Sequence, residues 1–369
     1  MTEQKGCSAP YIGFFYRTGT NKVAPCCHYS RHFDPSLYDN KKIGKHVNKK
    51  MQNECQICWD KETFADKSLR QWFNKLENEN INEIDKAKYQ PLWADIRTSN
   101  YCNLQCNMCS TADSSKIQSF IQKNPHMSKY FKQSATGSNQ DIDLQTDFSK
   151  LKYLKLAGGE PTIDPYCNKF LDKFINDYKA SQVELVITTN ATKVIPFFKK
   201  YKDKFKKITT ILSIDAVGET YNFIRYPAKW KNVKENISHL LKIKDVDVNM
   251  NIVLQPYNLV TVDEWLPFVS DFLNERVEGK VDFLNCTNPT HFSTSAMSPA
   301  AIEIVLEKLV HVEKNFTNIQ PKIKELRNLL SNAEYNHKDN KMLKNHLKSI
   351  SKIRKINYIE KIPELKHLL

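Results

Sequence analysis

Residues 92–110 read LWADIRTSNYCNLQCNMCS, a short β-type run followed at once by three cysteines. The apolar run at 92–97 predicts a strand. Cys102, Cys106 and Cys109 then follow at spacings of four and three residues. Parallel α/β folds place their ligand sites at the carboxyl ends of strands, so a cysteine cluster at this position predicts a functional site.

On either side of this stretch, short β-rich runs alternate with segments of helical period. Such alternation predicts a parallel sheet with right-handed crossovers. Six strands are too few for an eight-stranded barrel, so we expect an α/β fold with a partial (β/α)6, TIM-like barrel. The other five predicted strands are 153–157, 183–189, 208–214, 248–254 and 281–285, and the helices lie near 165–178, 193–203, 229–243 and 261–276.

The chain divides into three predicted regions. Residues 1–90 hold five cysteines and end in a polar, helix-like linker, and residues 91–290 form the barrel. Residues 291–369 are rich in lysine and of helical period, which predicts a helical extension packed on the core. Within the barrel region, 111–150 predicts one helix and a mobile loop that includes SATGSNQD at 134–141.

Composition limits what the cysteines do. The chain has 369 residues, ten cysteines and a net charge of +14. It lacks both a membrane-length apolar run and a signal peptide, so we expect a cytoplasmic protein whose cysteines serve metal or redox chemistry rather than disulfides. Only eight of the 55 basic residues are arginine. A lysine-rich solvated surface therefore explains the charge better than nucleic-acid recognition, although an acidic peptide or nucleic acid stays an alternative.

The thiol trio suits one kind of metal centre best. Three thiolates on one tight loop can hold three corners of a four-iron cluster and leave the fourth iron open to a ligand. A structural zinc site would need a fourth ligand, and the next histidine, His126, is seventeen residues away. Zinc and unliganded thiols are the alternatives.

This motif resembles that of the radical S-adenosylmethionine (SAM) superfamily, in which CxxxCxxC follows the first strand of a partial barrel. Met108 stands where that family usually has an aromatic residue. The resemblance implies that Cys102, Cys106 and Cys109 hold a catalytic [4Fe–4S] cluster that binds SAM. It also implies SAM contacts at the ends of later strands, namely Gly158, Gly159, Glu160, Pro161, Thr189, Asn190, Ser213, Asp215 and Arg225.

The N-terminal cysteines form a second constellation. The segment between Cys7 and Cys26 reads as a β-hairpin with its turn at 18–21, and a CxxC follows at Cys55 and Cys58. Four such thiols can bind zinc. They also resemble the SPASM and twitch auxiliary modules of radical SAM enzymes, which implies a second, closed [4Fe–4S] cluster of the twitch type on Cys7, Cys26, Cys55 and Cys58. Cys27 is the alternative to Cys26, whereas Cys167 and Cys286 are expected to pack in the core.

The resemblance implies a reaction type. It is the reductive cleavage of SAM to a 5′-deoxyadenosyl radical, which abstracts hydrogen from a substrate. By analogy with enzymes that carry auxiliary clusters, we expect a peptide or protein substrate and an electron donor of the flavodoxin or ferredoxin type. The alternatives are modification of a nucleobase, nucleotide or RNA, and a non-catalytic iron–sulfur or zinc-binding protein. A monomer is the default expectation.

Overall fold

The structure is a computed structural model that describes residues 6–18, 22–48, 53–62, 68–84, 88–133, 146–275 and 279–369. All eight strands in these ranges belong to one sheet of order β2-β1-β3-β4-β5-β6-β7-β8. The predicted α/β fold with a mostly parallel sheet is confirmed, and such a sheet fits a TIM-like barrel. The strands are β1 (Gly13–Arg17), β2 (Lys22–Ala24), β3 (Trp93–Arg97), β4 (Tyr153–Ala157), β5 (Glu184–Thr189), β6 (Lys207–Ser213), β7 (Val246–Leu254) and β8 (Val281–Asn285).

The helices between the barrel strands also lie where the periodicity predicts them. The helix of 111–150 is Ser115–Lys123, and the loop at 134–141 lies outside the described residues. The helices are α1 (Ala9–Ile12), α2 (Asn40–Val47), α3 (Gln56–Glu62), α4 (Leu69–Glu79), α5 (Ser115–Lys123), α6 (Pro165–Asp177), α7 (Ile195–Tyr201), α8 (Gly218–Ile224), α9 (Trp230–Leu240), α10 (Pro256–Leu259), α11 (Val262–Glu275), α12 (Pro299–Asn315), α13 (Gln320–Ser331), α14 (His337–Arg354) and α15 (Tyr358–Lys361).

The chain separates into two compact units, and each interleaves distant segments. The first comprises Met1–Tyr101, Ala135–Thr188 and Phe198–Thr209. The second comprises Cys102–Ser134, Thr189–Phe197 and Thr210–Leu369. The boundaries of these two units differ from the three regions predicted from the sequence, which divide the chain at residues 90 and 290. The three-region division stays a prediction.

In the first unit, the N-terminal hairpin is part of the sheet. β1 and β2 pair antiparallel, as the hairpin pattern predicts, and residues 19–21 of the turn lie outside the described residues. β1 also pairs in parallel with β3, with Phe15 opposite Asp95. Sequence reasoning missed this pairing because it joins segments about 80 residues apart. β3 continues in parallel to β4, and β4 to β5.

Two helix starts in the first unit follow local rules. α4 begins with a capping box, in which the Ser68 hydroxyl accepts from the Gln71 backbone N–H while the Gln71 side chain accepts from the Ser68 N–H. α6 begins with an Asp164 cap followed by proline at its first position. In the second unit, β7 pairs in parallel with β8, and the chain after Ser298 is mainly helical.

Within the described ranges, no helix has the length and apolar content needed to span a bilayer.

Candidate functional site

The cysteine loop after β3 belongs to the second unit and contains neither helix nor strand. None of the three cysteines forms a disulfide bond; Cys102 and Cys106 are buried, and Cys109 is half-buried. Backbone hydrogen bonds hold the loop against the end of α8: Gln105 N–H donates to Tyr226 O at 2.6 Å, and Asn107 N–H to Ile224 O at 2.9 Å. The loop is therefore shaped by main-chain contacts that leave its thiols unbridged.

Burial disfavours the thiolate form of these cysteines unless a cation lies nearby. Burial, followed by the nearby sulfurs of Cys106 and Cys102, raises the pKa of Cys109 well above its usual value. Burial also raises the pKa of Cys106, and the Arg225 guanidinium only partly offsets it. Three neighbouring buried thiols of this kind suit a positively charged metal centre, which binds thiolates and releases their protons.

The donor set fits a cluster better than a single ion. In the part of the chain that the structure describes, no three His, Cys, Asp or Glu side chains form a group that could hold one metal ion. A four-iron cluster is larger than one ion, and its cysteine ligands stand correspondingly further apart. Three thiols on one loop fit such a cluster and leave one iron open.

A buried ion pair lies beside this loop. Arg225 Nε is 2.8 Å from Asp215 Oδ2, with the two side chains 8% and 0% exposed. Arg225 Nη1 also lies 3.9 Å from Cys106 Sγ. Burial alone would lower the pKa of Arg225, but the Asp215 carboxylate raises it overall, so the guanidinium stays charged. Both residues were predicted as SAM contacts; the structure pairs them with each other and brings Arg225 to the cysteine loop.

Loss of this pair is expected to destabilise the protein strongly. Asp215→Asn removes the counter-charge of a buried guanidinium, so the free energy of unfolding should fall by about 3–5 kcal/mol. Urea unfolding of the apoprotein measures it. Asp172→Asn, which breaks an exposed pair with Lys200, is the control and should cost less than about 1 kcal/mol. Equal losses in the two variants would contradict this account.

The end of β5 is joined to the cysteine loop by side-chain amides. Asn190 Nδ2 donates to Asn103 Oδ1 at 3.0 Å. Asn103 Nδ2 donates in turn to Thr192 Oγ1 at 2.8 Å. The Thr189 hydroxyl accepts from the Ala191 N–H, whose residue has a φ of 58°. Thr189 and Asn190 are predicted site residues. Asn103 and Thr192 were not predicted, although Asn103 follows Cys102 directly and Thr192 lies two residues after Asn190.

Ser213 ends β6, two residues before Asp215. The Asp215 carboxylate accepts from the Val253 N–H at 2.9 Å, and the Asn258 amide donates to the Asp215 backbone carbonyl at 2.7 Å. Ser213 is half-exposed, whereas Gln255 at the end of β7 is fully buried. The ends of β6 and β7 are thus tied together around Asp215.

In the first unit, the GGEP turn packs closely on the exit of β3. Gly159 N–H donates to Ser99 O at 3.1 Å, and Glu160 N–H to Tyr101 O at 2.7 Å. Gly158 has a φ of +118°, and a Cβ at Gly159 would lie 2.1 Å from Tyr101 O. Pro161 and Glu160 are buried, and the Glu160 carboxylate accepts from the Thr162 hydroxyl at 2.6 Å. Both glycines are therefore required by backbone geometry.

Gly159→Ala should be among the most destabilising small substitutions. The new Cβ overlaps a backbone carbonyl that cannot rotate away, so we expect a loss of at least about 3 kcal/mol, the upper end for overpacking. Urea unfolding of the apoprotein measures it. Gly218→Ala is the matched control: its φ is +57° but its Cβ meets nothing within 4 Å, so it should lose about 1–2 kcal/mol. A Gly159→Ala protein as stable as wild type would contradict the close approach.

Residues 96–269 match the family model described as Radical SAM superfamily. The match covers 174 of the 369 residues, a little under half of the chain. The matched residues begin in β3 and end in α11, and they include the cysteine loop and all nine predicted SAM-contact residues. A search of curated proteins found no match.

Solved structures give weaker likenesses. Native anSMEcpe with bound AdoMet and the Cp18Cys peptide is 20% identical with a TM-score of 0.38, over 60% of this chain and 59% of that one. Hexahistidine-tagged anSMEcpe with bound AdoMet is 18% identical with a TM-score of 0.42, over 60% and 58%. Streptococcus suis SuiB bound to S-adenosylmethionine is 16% identical with a TM-score of 0.35, over 68% and 52%. The match thus spans less than two thirds of each of these chains.

The four predicted N-terminal ligands precede the residues that match the family model, and they lie together in the first unit. Cys7, Cys26, Cys55 and Cys58 line one pocket of about 330 Å³, its opening to solvent included. Cys27 is not among its lining residues. Side chains of successive residues diverge, so the Cys26-Cys27 pair sends one thiol to the pocket and the other elsewhere. Cys26 is the predicted ligand and Cys27 its alternative, so the pocket lining favours the predicted residue.

The pocket chemistry again favours a cation. Burial raises the pKa of Cys7 to about 12 and that of Cys55 to about 11, with neighbouring thiols adding to both shifts. His28, which sequence reasoning missed, lines the same pocket with Nδ1 3.7 Å from Cys58 Sγ. Burial, then nearby lysines, lowers the pKa of His28, so its imidazole is neutral and able to act as a ligand. Thiolate and neutral imidazole are ligand types of both iron–sulfur clusters and zinc, so the chemistry of the donors alone does not distinguish the two.

Cys27 lies instead beside a charged group on the sheet. Asp95 is fully buried, with Arg97 Nε at 2.9 Å and Lys155 Nζ at 3.3 Å. Burial alone would raise the pKa of Asp95, but the two cations hold it below its usual value. Burial, followed by Asp95, raises the pKa of Cys27. Cys167 in α6 and Cys286 after β8 are buried, which agrees with packing roles.

Proposed function

We propose that this protein is a radical SAM enzyme. The observation that carries the proposal is the loop of three neighbouring, largely buried thiols, none of them in a disulfide bond, within the residues that match the family model. On Cys102, Cys106 and Cys109, a [4Fe–4S] cluster would supply the electron for reductive cleavage of SAM to a 5′-deoxyadenosyl radical, which abstracts hydrogen from a substrate.

The residues around the loop suggest what the protein contributes. Arg225 brings a fixed positive charge to within 3.9 Å of Cys106 Sγ. A cation there favours the thiolate that a cluster requires. Main-chain hydrogen bonds from Gln105 and Asn107 fix the loop, and burial limits access of water to its sulfurs. We propose SAM contacts at Gly158, Gly159, Glu160, Pro161, Thr189, Asn190, Ser213, Asp215 and Arg225.

The Asp215–Arg225 pair bears on that assignment. The resemblance implies that Arg225 lies near the carboxylate of SAM, yet its guanidinium already has the Asp215 carboxylate as a partner. A guanidinium has five N–H donors, so it retains donors for SAM while Asp215 fixes its orientation. We therefore propose that Asp215 positions Arg225 and that Arg225 provides the contact.

We also propose an auxiliary [4Fe–4S] cluster on Cys7, Cys26, Cys55 and Cys58. The shared pocket supports it, because all four thiols reach one space while Cys27 does not. Four thiolates would close the cluster, so this second site would relay electrons or position a substrate rather than bind SAM. A peptide or protein is the proposed substrate, on the resemblance to enzymes with such modules, and a flavodoxin or ferredoxin is the proposed donor.

Product formation tests the proposed reaction. Anaerobically reconstituted protein should release 5′-deoxyadenosine from SAM when dithionite is added, even without substrate. Protein heated to loss of structure, with the same iron and reductant, is the control. No 5′-deoxyadenosine above that control would reject the proposed activity.

A further inference from the structure

The outward face of α14 carries a row of lysines. Lys341, Lys344, Lys348, Lys352 and Lys355 recur at steps of three or four residues, which places them on one face of the helix. Lys344 is half-buried and the other four are exposed. We call these five residues the lysine row. It extends over 14 residue steps, about 21 Å of helix.

The lysine row carries almost uncompensated charge. Among the described residues, none of its five ammonium groups has an ion-pair partner. The single acidic residue of α14, Asp339, lies at the first turn and accepts hydrogen bonds from Thr290 and Ser295. Like charges at such spacing repel and destabilise an isolated helix, so the row needs a reason other than helix stability.

The other side of the same helix reaches the cysteine loop. Arg354, one residue from Lys355, donates from Nη2 to Gln105 O at 3.2 Å and to Asn107 Oδ1 at 3.4 Å. Its Nη1 donates to Phe223 O at 3.0 Å. Arg354 thus bonds to the two residues that flank Cys106, and the end of the lysine row lies within one helical turn of the loop's own contact.

We propose that the lysine row is the docking surface for an acidic one-electron carrier protein. The proposal rests on the proposed function, because reduction of a cluster on the cysteine loop requires one electron from outside the chain. The carrier is oxidised by one electron and the cluster is reduced by one, with no bond made or broken. Positive charge on the helix that contacts the loop attracts an acidic carrier and raises its rate of encounter on this side of the protein.

A nucleic acid fits the row less well. α14 has no arginine on this face and no Phe, Tyr or Trp in its sequence to stack with bases. Readers of nucleic acids combine such groups with lysine. Lysines alone act as point charges, which is sufficient for a carboxylate-rich protein surface.

The test compares two reductants on one variant. Lys348→Glu/Lys352→Glu/Lys355→Glu reverses three charges on the row. With an acidic flavodoxin, reduced beforehand, as the electron source, the rate of 5′-deoxyadenosine formation at low salt should fall at least about tenfold, the lower end for loss of electrostatic steering. With dithionite the rate should stay within about twofold of wild type, because a small reductant needs no docking surface.

A matched control reverses the same charge elsewhere in the second unit. Lys231→Glu/Lys234→Glu/Lys242→Glu alters three exposed lysines in and after α9, and both rates should stay within about twofold of wild type. Affinity for labelled flavodoxin, measured by fluorescence anisotropy, is the second readout and needs no turnover. It should fall steeply with salt in wild type and at least about tenfold in the row variant.

Each outcome is decisive. Equal flavodoxin-driven rates and affinities in the row and α9 variants would overturn the docking proposal. A row variant that no longer binds a labelled oligouridylate but still binds flavodoxin would also overturn the proposal. That result would assign the lysine row to nucleic-acid binding. Wild type that binds flavodoxin through the row but makes no 5′-deoxyadenosine with dithionite would reject the proposed function alone. If the triple variant unfolds, the single changes Lys348→Ala and Lys352→Ala are compared by anisotropy.

Discussion

Cys106→Ala is expected to abolish 5′-deoxyadenosine formation, down to the level of the heat-treated control. Cys106 is the middle thiol of the loop and lies next to Arg225. With two thiolates left, the loop can hold only two corners of a four-iron cluster, and its affinity for the cluster should collapse. The measurement is product formation by the anaerobically reconstituted variant with dithionite and SAM, together with iron content per chain.

Cys167→Ala is the control for this change. It also removes a fully buried thiol, but from the core of α6. Loss of one sulfur there should destabilise the fold by about 1 kcal/mol through a small cavity and leave turnover near wild type. A Cys106→Ala protein that retains product formation comparable to that of Cys167→Ala would rule out Cys106 as a cluster ligand.

Cys55→Ser/Cys58→Ser is expected to halve the iron content while sparing the loop cluster. Wild type should hold about eight irons per chain, two clusters of four, and the double variant about four. Both thiols line the N-terminal pocket, so the double variant loses two of the four proposed cysteine ligands. Iron and zinc are measured on anaerobically reconstituted protein by elemental analysis, and dithionite-driven 5′-deoxyadenosine formation should persist.

The adjacent cysteines supply the matched controls for this site. Cys27→Ser should keep about eight irons because Cys27 lies beside Asp95 rather than in the pocket, whereas Cys26→Ser should lose about four. Wild type with about four irons and one zinc would reject the auxiliary cluster and favour the zinc alternative.

Much of the fold follows from local pattern. The six barrel strands and the four predicted helices lie within about three residues of their predicted limits, because short β-rich runs and apolar positions at helical spacing can be read from the sequence. The short helices α8 and α10 were not predicted. The cysteine loop and the GGEP turn were found in the same way, as short motifs at strand ends. Their chemistry is contained in a few consecutive residues, so no long-range contact is needed to recognise them.

Contacts between residues far apart in the sequence were not predicted. The charge on Arg225 suggested a ligand carboxylate, but the structure gives it Asp215 and the Cys106 sulfur. Arg354 looked like one more basic residue of a C-terminal helix until its bonds to Gln105 and Asn107 placed it at the loop, about 250 residues earlier in the chain. Such pairings depend on which elements pack together, and a single sequence does not state that.

The sequence by itself indicated the α/β pattern, the CxxxCxxC motif and the candidate N-terminal thiols, because periodicity and short motifs can be read without knowing which segments pack together. Only the tertiary structure decided that β1 joins β3 in the sheet, that Cys26 rather than Cys27 faces the pocket with Cys7, Cys55 and Cys58, and that Arg354 connects the lysine row to the cysteine loop. The physical reason is the same in each case: hydrogen bonds and burial are shared between residues far apart in the chain, and their free energy exists only once the chain has folded.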